Sequence, residues 1–163
     1  MCIRDRYRES PVDDPRAQEL LREYFALRAS GFPPEQGVYS VSMPGKDAFR
    51  SPDGVFLIAS LPAESGATSD IGCGAIRRLD PPGRWEVKHL FLREEARGAG
   101  RGRALLDELE RRARLAGAAE LVLDTNSSLT AAGRLYERAG FERIPPYNDN
   151  PNADRWYRKP LDA

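Results

Sequence analysis

Histidine occurs once and cysteine twice in this chain of 163 residues. His89, Cys2 and Cys73 are too few and too scattered for a four-ligand zinc set, so no metal is expected. Net charge is also lacking. The 25 basic and 25 acidic residues cancel, leaving no overall field to gather nucleic acid or an anionic membrane, so neither is expected as a partner. No apolar run approaches the length of a spanning helix and no secretory h-region follows the N-terminus, which together point to a cytoplasmic protein. What is present, 40% hydrophobic and 31% charged residues, suits one globular domain with a substantial core. Met1–Arg6 has neither periodicity nor a helix cap, and residues 1–10 are expected to be a disordered or artefactual start.

The remainder reads as a mixed α/β chain. Asp13-Asp14-Pro15 opens a helix, Leu20, Leu21, Tyr24, Phe25 and Leu27 give it one apolar face, and Gly31 ends it. Val38–Val41 alternates as a short strand. Gly54–Ala59 and Ile71–Leu79 are apolar strands joined by a polar hairpin over Pro62–Asp70, and Asp80-Pro81-Pro82-Gly83 turns the chain into a strand over Trp85–Leu92. Arg103–Leu115 is a strong helix with Leu105, Leu106, Leu109 and Ala113 as its buried stripe. Its arginine cluster is balanced by acids four residues earlier (Asp107–Arg111, Glu108–Arg112, Glu110–Arg114), which marks a solvated face rather than a nucleic-acid patch. Leu121–Asp124 is a buried strand, Thr130–Arg138 a helix closed by Gly140, and Phe141–Ile144 and Arg155–Lys159 are the last strands.

Between strand and helix lies Arg97-Gly98-Ala99-Gly100-Arg101-Gly102. A helix N-terminus presents unpaired N–H groups and the positive end of the dipole, and glycines ahead of it let the main chain approach an anion closely. Arg97, Arg101 and Arg103 add charge there. A Walker A loop would require Gly-Lys followed by Ser or Thr, and a dinucleotide fingerprint a third glycine where Arg103 stands; both are excluded. By itself the loop is a phosphate-friendly turn or a turn with no ligand.

Arg-x-x-Gly-x-Gly after a strand and before a helix resembles the pyrophosphate motif of the GNAT N-acetyltransferase superfamily. Further on, Leu135-Tyr136-Glu137-Arg138-Ala139-Gly140-Phe141 is similar to that superfamily's second hallmark. Glu86–Leu90, Asp124-Thr125-Asn126 and Pro145–Pro151 resemble a bacterial subgroup of unassigned substrate. The resemblance implies a GNAT fold over residues 11–163, with a mixed, mostly antiparallel sheet flanked by helices. It also implies an acetyl-CoA-dependent N-acyltransferase, monomeric or homodimeric, moving an acetyl group to a primary amine of a small molecule or peptide by direct attack in a ternary complex. A non-catalytic acyl-CoA-binding module on the same fold is the alternative, and an interaction or nucleic-acid domain with an incidental glycine loop is the third reading.

The resemblance further implies that Leu90, Phe91 and Leu92 offer their main chain to the pantetheine and thioester, and that Gly98 to Arg103 wrap the pyrophosphate. It makes Tyr136 the general acid, a position otherwise read as a core tyrosine. A base must free the amine of its proton. Glu86 is the first candidate, Asp124 the second and His89 the third. In a regular strand Glu86, Lys88 and Leu90 share a face and His89 points away. Asn126 either binds substrate or coenzyme or forms an Asx turn. The acceptor pocket is expected from Tyr24, Phe25, Arg28 and Glu86, with Tyr147, Asn148 and Trp156 as further liners.

Overall fold

The computed structural model describes residues 6–63 and 65–161. Strand β2 (Gly54–Pro62) shows why its apolar run is unbroken. Val55 and Leu57 join one core cluster while Phe56 and Ile58 join another, so alternate side chains are buried on opposite sides of the sheet. Strand β3 (Thr68–Arg78) pairs antiparallel with it and with β4 (Arg84–Leu92). With β1 (Arg6–Glu9), β5 (Glu120–Thr125), β6 (Glu142–Ile144) and β7 (Arg155–Pro160), these make a sheet of order β1-β2-β3-β4-β5-β7-β6. Only β4 and β5 pair in parallel among the described strands.

Helix α1 (Pro15–Ser30) starts where Asp14 Oδ1 accepts from Arg16 N at 2.9 Å and ends at Gly31. It buries Ala17, Leu20, Leu21 and Phe25 against one face of the sheet. Leu27, expected on that face, is 43% exposed. Helices α2 (Arg101–Leu115) and α3 (Thr130–Arg138) cover the opposite face. The expected stripe of α2 is buried, but its start lies two residues before Arg103, because Gly100 takes the cap position in the left-handed region. Its surface pairs are also partly rearranged: Arg111 bonds Glu108, and Asp107 bonds Arg103. These are exposed contacts of small energetic weight.

Two expectations fail. Arg6–Glu9 is not part of a disordered start; it pairs with Leu57–Ser60 as an edge strand. Backbone pairing and the ion pairs Arg8–Asp70 and Glu9–Arg112 hold it, so no apolar period announced it. Residues 1–5 of that expectation lie outside the described residues. Val38–Val41 forms no strand. Val38 is 92% exposed, and the segment is held instead by Tyr39 against Phe25 and Phe32 and by reciprocal bonds between Ser40 and Asn152.

Candidate active site

The sheet opens at its centre. Strands β4 and β5 pair only from Arg84↔Glu120 to Glu86↔Val122, after which they diverge. The gap is a cleft of about 930 Å³, within the usual range for a ligand site. Its walls are Val87–Leu92, the end of β5 at Leu123–Thr125, the glycine loop, the last turns of α1, and α3.

At one end stand the phosphate-friendly features. Gly98 (φ 91°) and Gly100 (φ 75°) lie in the left-handed region, and a Cβ at either would meet open space. Ala104 N is bonded to Gly100 O, so the N–H groups of Gly102 and Arg103 are among the helix's opening donors, with no side-chain cap. Arg97 Nε donates to Leu92 O at 3.0 Å and Arg101 Nη1 to Ala96 O at 3.2 Å, which folds both guanidinium groups back onto the loop. Because Arg93 N is bonded to Ile71 O across β3, strand alternation turns the Leu92 peptide groups toward the cleft. Helix α3 also begins there without a side-chain cap, at Leu129. Sequence reading missed Leu129–Ala132 and Arg138 as walls of the cleft; the uncapped start of α3 was the available signal.

At the other end the titratable groups gather. Opposite Gly74, β4 carries an extra residue, with Lys88↔Ala75 and Phe91↔Cys73 as the flanking pairs. His89 occupies this bulge at φ 55°, and the alternation slips by one. His89 therefore sits on the α1 side with Glu86 and Lys88, against Tyr24, Phe25 and Phe49, while Leu90 turns to the α2 side. The expected grouping of Glu86, Lys88 and Leu90 on one face is thus corrected. Burial, aided by Lys88, lowers the His89 pKa to about 3, and Nδ1 has no hydrogen-bond partner. The imidazole is neutral at physiological pH and a poor proton acceptor there.

A stability prediction follows from that shift. The unfolded chain takes up a proton at His89 near pH 6.5, whereas the folded chain resists until about pH 3. The folded state therefore loses stability as pH falls from 6.5 toward 3. Melting temperature measured over that range falls, and His89→Asn, which tolerates positive φ, gives a shallower slope.

Glu86 is fully buried, 0% exposed. Its Oε1 accepts from Arg77 Nε at 2.8 Å and its Oε2 from the Tyr147 hydroxyl at 2.6 Å. It does not line the cleft. Burial first, then the Glu86 charge, pushes the Tyr147 phenol up, which keeps it a donor. Asp124 does line the cleft, at 6% side-chain exposure. Lys88 Nζ lies 3.6 Å from Oδ1, and Asn148 Nδ2 donates to Oδ2 at 2.7 Å. Asn148 is aimed by Trp156 Nε1 at 2.9 Å. The expected liners Tyr147, Asn148 and Trp156 thus stand behind the carboxylates rather than in the wall. Asn126 is turned away from the cleft: Oδ1 accepts from Ser128 N at 3.0 Å, the Asx turn, and Nδ2 donates to Gln36 and Asn152.

Tyr136 lines the cleft from α3 and packs on Phe141 and Tyr157. Burial is the main force pushing its hydroxyl up to about 12, opposed by Arg28 and reinforced by Asp124. Arg28 and Tyr24 meet the same space from α1, joined by a bond of 3.2 Å.

The glycine loop at a helix start and the tyrosine on the next helix, here set about a splayed parallel pair, are the features named for one family. The acetyltransferase (GNAT) family model matches residues 15–141. The chain belongs to that family. It is 35% identical over 157 residues to an IAA acetyltransferase of Azospirillum brasilense, covering 94% of this chain and 95% of that one. An uncharacterised N-acetyltransferase of Schizosaccharomyces pombe is 37% identical over 103 residues, 63% of this chain; the match spans 61% of that relative's length. Among solved structures, a GNAT-family acetyltransferase of Staphylococcus aureus superposes with TM-score 0.76 at 18% identity, covering 98% of this chain and all of that one. The PaiA N-acetyltransferase of Thermoplasma acidophilum, in complex with coenzyme A, gives 0.71 at 20% identity over 98% of this chain and 100% of its own. These likenesses show the fold. This family member is an acyl-CoA-dependent acetyltransferase with a mixed α/β fold. Among the described residues no helix is long and apolar enough to cross a membrane and no side-chain group suited to a metal occurs.

Proposed function

We propose that the chain acetylates a primary amine of a small molecule or peptide by direct attack on acetyl-CoA in a ternary complex. The observation that carries this is one continuous cleft with an anion cradle at one end and Tyr136 with Asp124 at the other. The cradle suits the coenzyme's pyrophosphate, since Gly98 and Gly100 leave open space where a side chain would stand and charged hydrogen bonds contribute about 1.5–3 kcal/mol each.

The β4 edge at Leu90–Leu92 offers backbone groups to the pantetheine and to the thioester oxygen as it gathers negative charge. Of the three carboxylate and imidazole candidates, Asp124 is the base in this reading. It faces the cleft, whereas Glu86 has both oxygens engaged behind it and His89 holds its neutral form. Asp124 takes a proton from the acceptor nitrogen as the N–C bond forms. The Tyr136 hydroxyl donates a hydrogen bond to the sulfur as the C–S bond breaks, and the thiolate takes its proton from water on release, so the products are an amide and a free thiol. Glu86 fixes Arg77 and Tyr147 and acts as a positioning residue.

Acetyl-CoA at a hundred times its Kd stabilises the fold by about 2.7 kcal/mol, read as a rise in melting temperature. Thiol release from acetyl-CoA in the presence of an amine panel, above a no-amine control, tests the transfer itself. A melting shift with no amine-dependent thiol release favours the alternative, a non-catalytic acyl-CoA-binding module.

A further inference from the structure

We infer that the acceptor is an amine that also carries a carboxylate, an amino-acid-like molecule whose anionic group is held by Arg28. The inference rests on the amine-acetylation reading and narrows its substrate class. Away from the glycine loop and from Arg138, whose carbonyl accepts from Arg103 at the cradle end, the ionic groups facing the cleft are Arg28, Lys88 and Asp124. Two cations stand against one carboxylate, and Lys88 is already paired with that carboxylate.

Arg28 differs from Arg97 and Arg101, whose guanidinium groups bond main-chain carbonyls, and from Arg103, which pairs with Asp107. It lies in the last turn of α1, and its Nη1 meets only the Tyr24 hydroxyl, at 3.2 Å. Its guanidinium lies over the rings of Tyr24 and Tyr39, 5.8 and 5.6 Å from their centres. Among the described residues no carboxylate pairs with it, although most of the arginines have such a partner. The two rings fix the plane of the guanidinium and leave its remaining donors for a planar acid. Its charge bears on Tyr24, Tyr136 and His89 together with that of Asp124, which places it at the reacting end of the cleft rather than beside the pyrophosphate cradle.

The charge balance also selects against other acceptors. A polyamine or a bare alkylamine enters as a cation and meets Arg28 and Lys88, with Asp124 alone to receive it. An amino acid brings one charge of each sign. Its carboxylate satisfies Arg28, its nitrogen faces Asp124, and the neighbouring cations favour loss of the ammonium proton that attack requires.

Free α-amino acids are to be compared with their carboxamides and their decarboxylated amines in the thiol-release assay. The acids are expected to show kcat/KM at least tenfold above both partners. Arg28→Gln is expected to raise KM for the acids at least tenfold and to level the three series, while the melting shift with acetyl-CoA stays as in the parent chain. Arg28→Lys restores part of the preference. Carboxamides or plain amines that match the acids overturn the inference and leave amine acetylation standing, as does an Arg28→Gln variant that lowers all three series alike. No thiol release with any amine, with the acetyl-CoA melting shift intact, overturns the amine-acetylation reading and the inference with it.

Discussion

Tyr136→Phe is expected to lower kcat about a hundredfold while leaving the acetyl-CoA melting shift unchanged. The ring is the structural part of this side chain. It packs on Phe141 and Tyr157, with centroids 5.9 Å away in both cases, and phenylalanine keeps those contacts. The hydroxyl is the chemical part, facing the cleft from α3. General acid catalysis spans about 10²–10⁴-fold, and the lower end applies because burial holds this phenol near 12. Full transfer to a sulfur with a pKa nearer 8.5 is uphill, so the hydroxyl acts chiefly by hydrogen bonding to the departing thiolate. Steady-state kinetics with saturating acceptor separate the two effects: kcat falls and KM for acetyl-CoA holds. An unchanged kcat removes Tyr136 from the reaction.

The same residue shows how far sequence reading reached. The place of Tyr136 on an apolar helix face, the Arg97–Arg103 loop ahead of a helix and β4 were legible because each belongs to a local pattern: a helical stripe, alternating glycines before a helix, an apolar strand. Helix α2 was placed to within two residues. What escaped depends on partners distant in the chain. The slip at His89 arises from pairing with β3, where Gly74 faces two residues of β4, and it moved His89 and Leu90 to faces opposite those expected. Arg6–Glu9 is a strand because Leu57–Ser60 offers it an edge, while Val38–Val41, with better alternation, pairs with no strand. Period-two patterning is a property of a strand, but an open edge is a property of the sheet. Likewise, Glu86 was legible only as a strand carboxylate; its partners Arg77 and Tyr147 come from a neighbouring strand and from a loop 61 positions later.

That difference separates the two carboxylates experimentally. Asp124→Asn retains the size of the side chain and the capacity to accept from Asn148, but removes the proton acceptor that faces the cleft. It also leaves Lys88, 3.6 Å away, without its counter-charge. The expected loss in kcat is about 10²–10³-fold, the ordinary range for deleting a general base, with coenzyme affinity retained. Glu86→Gln is expected to behave in the opposite way. The carboxylate is 0% exposed and its charge is matched by a guanidinium that is half in solvent, so the variant loses a charged hydrogen bond worth about 1.5–3 kcal/mol. Urea denaturation reads this as a lower midpoint. Its kcat falls by no more than a few fold, because Asp124 is held from Asn148 and Lys88 rather than from Glu86. If instead Glu86→Gln abolishes turnover at full stability and Asp124→Asn remains active, the roles are exchanged.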